Sequence, residues 1–111
     1  MEHDFPIDLP PETYTEAEPY REEIKVMAGV VTDVSIFFPA GCGGLVGLRI
    51  LRGSMVLWPR NPDTWFVSDD NTIKFPERYL LNERPYSFTV EAYSESVDWD
   101  HTVTVSINVG G

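Results

Sequence analysis

The residues of this chain that could carry out chemistry are few, and their spacing matches no catalytic site. Cys42 lies in the glycine-rich run Gly41-Cys42-Gly43-Gly44-Leu45-Val46-Gly47, and the two histidines are His3 and His101. A nucleophilic cysteine needs a neighbouring base that holds it as the thiolate, and that base needs a third group to orient it. No such group stands at a diagnostic spacing. We therefore expect no catalytic residue and no enzymatic activity, with a small hydrolase as the least favoured class.

The same glycine-rich run does not match a phosphate-binding loop. A Walker loop requires Lys and then Ser or Thr after its last glycine, followed by a helix whose N-terminus faces the phosphate. Here Leu48-Arg49-Ile50 follows, with the alternation of a strand. The run therefore predicts a tight connection between two strands and no bound cofactor.

Carboxylates occur in two predicted loops. One contains Asp69-Asp70-Asn71, and the other contains Glu95, Asp98 and Asp100. Calcium takes oxygen ligands of this kind, but neither loop has the ligand spacing of a defined calcium motif. Zinc requires more nitrogen or sulfur ligands than one cysteine and two histidines supply. We interpret both loops as solvated turns and predict no metal site.

Aromatic residues beside turns are candidates for contacts with other molecules. Trp65 and Trp99 flank predicted turns, where amphipathic aromatic side chains tend to be exposed or at interfaces. Trp58 and Phe66 are expected in the core. The pattern therefore leaves two uses open for Trp65 and Trp99, a protein interface or a platform for a sugar.

The N-terminal segment, residues 1–23, differs in charge from the rest of the chain. It has eight acidic residues against one arginine, which leaves only −3 of the chain's −10 for residues 24–111. Its four prolines disfavour a helix. Apolar residues nevertheless recur through it: Phe5, Ile7, Leu9, Tyr14 and Tyr20. We therefore predict an extended, acidic, proline-rich arm at 1–23 that packs on another chain through these residues, and a separate domain at 24–111.

Strands must position these side chains, because the dominant period from residue 24 onward is two. In the last run His101, Val103, Val105, Ile107 and Val109 alternate with polar residues. Such alternation is typical of strands with one buried face, and dense turn residues separate the runs. The sequence predicts an all-β fold, a single jelly-roll-like β-sandwich of about eight short antiparallel strands. We expect these strands near 24–28, 30–38, 44–51, 54–58, 64–67, 72–75, 86–93 and 101–109.

Composition argues against two classes of partner. A nucleic-acid binder needs clustered Lys and Arg, and this chain has eight of them with no run. The longest uncharged stretch, residues 34–48, is interrupted by Pro39 and four glycines and is too short to cross a bilayer. The N-terminus lacks the basic and apolar regions of a secretory signal. We expect neither nucleic acid nor a membrane as a partner.

Several short motifs resemble a known group of proteins. These are Phe38-Pro39-Ala40-Gly41-Cys42, then Leu45-Val46-Gly47-Leu48-Arg49-Ile50, Trp58-Pro59 and Asn61-Pro62-Asp63-Thr64-Trp65. Over residues 30–109 the chain resembles the small β-sandwich head-decoration and virion accessory proteins of tailed prokaryotic viruses. Such proteins form symmetric oligomers, often trimers, that clamp neighbouring capsid subunits, and they bring no catalytic residues.

The resemblance implies a non-enzymatic structural protein of the virion, a capsid-decoration (cement) or other virion component. It implies a homo-oligomer, with a trimer favoured, that contacts a capsid or other virion protein. The alternative function is a ligand- or carbohydrate-binding β-sandwich that uses Trp65, Trp99 and the acidic loops, and the alternative location is the cytoplasm. The candidate interface residues are Phe5, Ile7, Leu9, Tyr14, Tyr20, Trp65 and Trp99.

Overall fold

A computed structural model of the chain describes residues 1–11, 13–61, 64–95 and 99–110. In these residues the regular structure consists of nine strands without a helix. The strands are β1 (Glu2–Leu9), β2 (Tyr20–Lys25), β3 (Gly29–Phe38), β4 (Val46–Arg52), β5 (Met55–Trp58), β6 (Phe66–Val67), β7 (Asn71–Leu81), β8 (Ser87–Ser94) and β9 (His101–Gly110). In the described part of the chain there is accordingly no helix that could span a membrane.

The strands form two antiparallel sheets that bury one core between them. The first sheet has the order β1-β9-β3-β7, and the second has the order β2-β8-β4-β5, with β6 also paired to β4. Alternate side chains of both sheets point inward, and Phe38, Leu48, Phe88 and Ile107 are among the fully buried ones. The prediction of an all-β fold with half-buried, sandwich-like sheets is confirmed.

The strand pairing is nested. β1 pairs with β9, β2 with β8, β3 with β7 and β4 with β5. The later strands thus pair with the earlier ones in reverse order, so both sheets contain strands from both halves of the sequence. The N-terminal strand is consequently part of the same fold as the C-terminal one.

The N-terminal segment is therefore not an arm outside the domain, and the structure corrects this expectation. Residues 2–9 form β1, which pairs along its whole length with β9, and Ile7 and Leu9 are 0% exposed in the core. β2 also crosses the predicted boundary between residues 23 and 24. The extended conformation was correctly inferred from the prolines, but its apolar residues pack on this chain because they alternate in phase with the core face of the first sheet.

Both outer strands of the first sheet contain a proline. Met1 and Val109 exchange both backbone hydrogen bonds, so the odd-numbered residues of β1 bond to β9 and the nitrogen of Pro6 faces the free edge. Pro76 lies in the other outer strand, β7, next to a bulge opposite Val31 and Asp33. Missing N–H groups at these positions oppose pairing with a strand of another chain. Contacts with other proteins are therefore expected elsewhere on the molecule.

Strand β7 is much longer than the four residues predicted near 72–75. Pro76 marks an interruption in the sequence pattern, but as an edge strand β7 continues through it to Leu81. β2 begins at Tyr20, four residues before the predicted strand. Both differences arise because pairing with β3 or β8 extends strands whose own alternation is imperfect.

Candidate functional site

Large apolar side chains are exposed at the two ends of the molecule. Among the described residues there are eight, and four lie where strands begin or end at one end of the sheets, which we call the tryptophan end: Phe37, Leu45, Val67 and Trp99. The other four lie at the opposite end, which we call the methionine end: Met1, Met27, Met55 and Leu80. The two ends are thus the candidate interaction surfaces.

Four connections meet at the tryptophan end, residues 10–19, 39–45, 68–70 and 95–100. Backbone hydrogen bonds join them, from Asp70 to Pro39 and from Glu95 to Leu45, and the last residue of β8, Ser94, bonds to Tyr14. These bonds hold neighbouring connections together, so the acidic loops predicted at 69–71 and 95–100 share one surface. The structure brings these two loops together with the glycine-rich run.

The two ends differ in charge. The connections of the tryptophan end contain no Lys or Arg, and their described acidic residues are Glu16, Glu18, Asp69, Asp70, Glu95 and Asp100. The connections of the methionine end, residues 26–28, 53–54 and 82–86, contain one acid and one base, Glu83 and Arg84. The tryptophan end is therefore strongly acidic, and the methionine end is close to neutral.

A cavity of about 530 Å³ opens at the tryptophan end. Its lining comes from two segments, residues 39–41 and residues 99–102, and we call it the Trp99 cavity. Trp99 is 68% exposed, whereas His101 is only 4% exposed. Gly41 packs against this histidine, because a Cβ at position 41 would lie 3.6 Å from His101 Cε1. The cavity thus combines an exposed aromatic ring with a buried imidazole.

His101 contacts Cys42, although the two residues are 59 positions apart in the sequence. Cys42 Sγ lies 3.8 Å from His101 Nδ1, while His101 Nε2 is buried without a hydrogen-bond partner among the described residues. Burial, with a smaller effect of the Asp69 charge, raises the pKa of the Cys42 thiol. The sulfur therefore stays protonated, which is the opposite of what a thiolate nucleophile needs.

No group of three or more His, Cys, Asp or Glu side chains that could hold a metal ion occurs within the described ranges. Asp69 instead accepts a hydrogen bond from the backbone N–H of Gly43 at 3.0 Å. Asp98, and also Pro62 and Asp63 of the motif resemblance, lie outside the described residues.

Trp65 lies in a different place, on the outer face of the second sheet. Its ring meets Tyr93 edge-on, with centroids 4.9 Å apart, and the Arg49 guanidinium carbon lies 4.2 Å from its centroid. Tyr93 in turn covers Gly47, where a Cβ would come within 2.4 Å of the tyrosine ring. Burial, followed by the charges of Glu16 and Glu95, raises the pKa of Tyr93. Trp65 is therefore a packing residue, and it does not line the Trp99 cavity.

Beside Trp65 lies a buried carboxylate that the sequence analysis missed. Glu91 is 1% exposed and forms ion pairs with Arg21 and Arg49, the latter at 2.7 Å. Both arginines are direct cross-strand neighbours of Glu91, in β2 and β4. Glu91 occupies an outward position of β8, which alternation alone assigns to solvent. Knowledge of the strand pairing would have been needed to find it.

The seven predicted interface residues have different environments. Ile7 and Leu9 are in the core, and Phe5, Tyr14 and Tyr20 are partly buried against it. A hydrogen bond to Glu22, with a smaller effect of burial, raises the pKa of Tyr20 to about 12. Trp65 is covered on one face by Arg49. In this set only Trp99 has a largely exposed side chain.

No family model, no curated protein and no solved structure matches this chain.

Proposed function

We propose that this protein is a non-enzymatic structural protein that binds copies of itself at the methionine end and a second, basic protein at the tryptophan end. In this proposal it is a capsid-decoration (cement) protein or another component of a virion. The observation that carries the proposal is the division of the exposed apolar side chains into two groups at opposite ends. A molecule with two such surfaces is suited to bridging two neighbours.

Charge distinguishes the roles of the two ends. Two copies that met through their tryptophan ends would bring six acidic residues of each copy together, which is unfavourable. A basic partner is favoured there for the same reason. The nearly neutral methionine end lacks this repulsion, and its methionine side chains adapt readily to an irregular apolar surface. We therefore assign self-association to the methionine end, with a trimer as the favoured oligomer.

The strand pairing supports a jelly roll as the detailed topology. Nested pairing of eight strands in two four-stranded sheets is expected for a chain folded as one long hairpin and then rolled up, with β6 as a short addition. Jelly rolls occur in viral capsid proteins and also in lectins. The topology is thus compatible with a virion role but does not select it, because one fold serves many functions.

Carbohydrate binding is the second candidate, and Trp99 is the observation that favours it. An exposed ring beside the polar side chains of Asp100 and Thr102 is an arrangement that can hold a sugar. Trp65 does not contribute to such a site, because it packs on Tyr93 and Arg49 elsewhere. A platform of both tryptophans is therefore not supported, and we rank this function second.

The test is the mass of the full chain in solution, measured by light scattering at tens of micromolar. We expect three copies of the 12.6 kDa chain. The double variant Met55→Ser, Leu80→Ser should be a monomer, because both side chains are more than half exposed at the proposed interface. Its matched control, Leu45→Ser, Trp99→Ser, removes two exposed apolar groups from the other end and should keep the mass of the parent.

Circular dichroism should show all three proteins folded, since substitutions of exposed side chains change stability little. A monomeric parent chain would contradict the assignment of self-association. A control variant that dissociates while the methionine-end variant does not would reverse the roles of the two ends.

A further inference from the structure

The Trp99 ring is the first of two features of the Trp99 cavity that point to one kind of occupant. Its side chain is 68% exposed. The face of an indole ring attracts cations, and a planar guanidinium both stacks on the ring and carries the charge. An exposed tryptophan face at a cavity is therefore a suitable contact for an arginine side chain.

The charge around the cavity is the second feature. Asp100 lines it, and Asp8 accepts a 2.6 Å hydrogen bond from the hydroxyl of Thr102, another lining residue. The described lining contains no Lys or Arg. A cationic side chain gains from this field, an anionic one loses, and a neutral sugar gains nothing from it.

The occupant that fits both features is an arginine side chain. Its guanidinium has five N–H donors in one plane. It can therefore donate to the Asp100 carboxylate while it lies over the Trp99 ring.

The same combination of a tryptophan ring, a carboxylate and an arginine side chain occurs within the chain, on the outer face of the second sheet around Trp65. There the Arg49 guanidinium lies over the Trp65 ring and pairs with Glu91. The Trp99 cavity has the corresponding ring in Trp99 and the corresponding carboxylate in Asp100, but no arginine among its described lining. An arginine side chain from another molecule would therefore complete the same arrangement in the Trp99 cavity.

We propose that the Trp99 cavity receives an arginine side chain of the partner protein. The guanidinium stacks on Trp99 and pairs with Asp100. This inference rests on the proposed function, because it takes the tryptophan end as the docking surface, and it names the chemical group that docks there.

The experiment is an NMR titration of the full-length, 15N-labelled protein. The probe is a blocked Gly-Arg-Gly peptide, and the comparison peptides replace arginine by lysine or by citrulline, which has the same shape without the charge. We expect a saturable shift of the Trp99 indole N–H signal with the arginine peptide, a smaller one with lysine and none with citrulline. The variant Trp99→Leu lacks this signal and so identifies it. It should bind the arginine peptide about tenfold more weakly, as measured from the shifts of neighbouring backbone amide signals.

Asp100→Asn should also weaken binding several-fold. Its matched control is Asp70→Asn, which removes the same charge at the same end but does not line the cavity. Asp70 has a left-handed backbone with φ of 48°, a conformation that asparagine accepts, so the control should fold normally. It should bind the arginine peptide nearly as well as the parent.

Three results would overturn the inference. One is equal binding of the citrulline and arginine peptides, and another is arginine binding that survives both Trp99→Leu and Asp100→Asn. The third is a shift of the Trp99 indole with methyl glucoside and none with arginine, which would make the cavity a sugar site. The mass of the same samples separates the two proposals, since a trimer without arginine binding refutes only the cavity, and a monomer that binds arginine refutes only the self-association.

Discussion

Among the described residues, the two ends of this molecule expose the same number of large apolar side chains, but the ends differ in charge. At the tryptophan end the connections hold six described acids and no base, while those of the methionine end hold one of each. The exposed apolar side chains by themselves indicate that both ends bind other molecules, but they do not indicate which kind of partner binds at each end. The charge difference decides the kind of partner, because like charges oppose contact between copies and attract a basic protein.

The largest effect is expected from deletion of residues 1–9. These residues form β1, which runs from the methionine end to the tryptophan end, and the deletion removes buried Ile7 and Leu9 and leaves β9 as an open edge. Each buried aliphatic side chain is worth about 2–5 kcal/mol, out of a total stability of about 5–15 kcal/mol. Circular dichroism should show an unfolded chain, and both ends should lose function together.

The sequence pattern alone predicted a separate domain at 24–111, and such a domain would stay folded without this segment. Asp4→Asn is the control, because it changes an exposed residue of the same strand and should remain folded. A truncated chain with a cooperative thermal transition would show that the tryptophan end does not depend on β1.

The next largest effect is expected from Glu91→Gln, which lies between the two ends. The amide leaves Arg21 and Arg49 facing a buried group without charge. Loss of one member of a buried ion pair costs about 3–5 kcal/mol, and less here because Arg21 is largely exposed. We expect a loss of about 2–3 kcal/mol in the free energy of unfolding, measured with urea, and no selective loss at either end. An unchanged midpoint would mean that the ion pairs contribute nothing net.

A smaller effect is expected from ionic strength, which should weaken binding at the tryptophan end but not self-association at the methionine end. Salt shortens the range of charge interactions to about 8 Å at 0.15 M and about 3 Å at 1 M. Binding of the arginine peptide should weaken several-fold over this range, while the mass of the oligomer should stay constant. Dissociation of the oligomer in salt would show that the methionine end associates through charges, which would contradict the proposed difference between the two ends.

The smallest expected effect concerns Glu77, midway along β7. Burial alone would raise its pKa, but hydrogen bonds from the Arg78 N–H and the Trp58 indole, together with the Arg60 guanidinium, lower it. A carboxylate with a lowered folded pKa stabilises the fold above its unfolded pKa, ordinarily 4.5, and loses this contribution as pH falls through the folded pKa.

Glu77→Gln should therefore be less stable than the parent by less than about 1 kcal/mol at neutral pH, and the difference should shrink below pH 4.5. Lys74→Gln, on the same strand, is a control without a group that titrates in this range. Urea titrations at neutral and acidic pH measure the difference, and a constant gap between Glu77→Gln and the parent would show that the carboxylate charge is not the cause.

The sequence by itself determined the class of the fold. The alternation from His101 to Val109 predicted β9, and the β-branched runs predicted β3, β4 and β8, since the period of a strand is a local property of the chain. The same position beside a turn indicated an exposed or interface ring at both Trp65 and Trp99, and of the two only Trp99 is largely exposed. Prolines in the N-terminal segment indicated its extended backbone.

The tertiary structure decided everything that depends on pairing. β1 joins the core because β9 lies beside it, Glu91 is buried because two arginines face it across β2 and β4, and Trp65 is covered because Arg49 lies over it. The contact between Cys42 and His101 has the same origin, as does the gathering of three acidic connections and the glycine-rich run at one end. These contacts join residues far apart in sequence, and local alternation contains no information about which strands become neighbours.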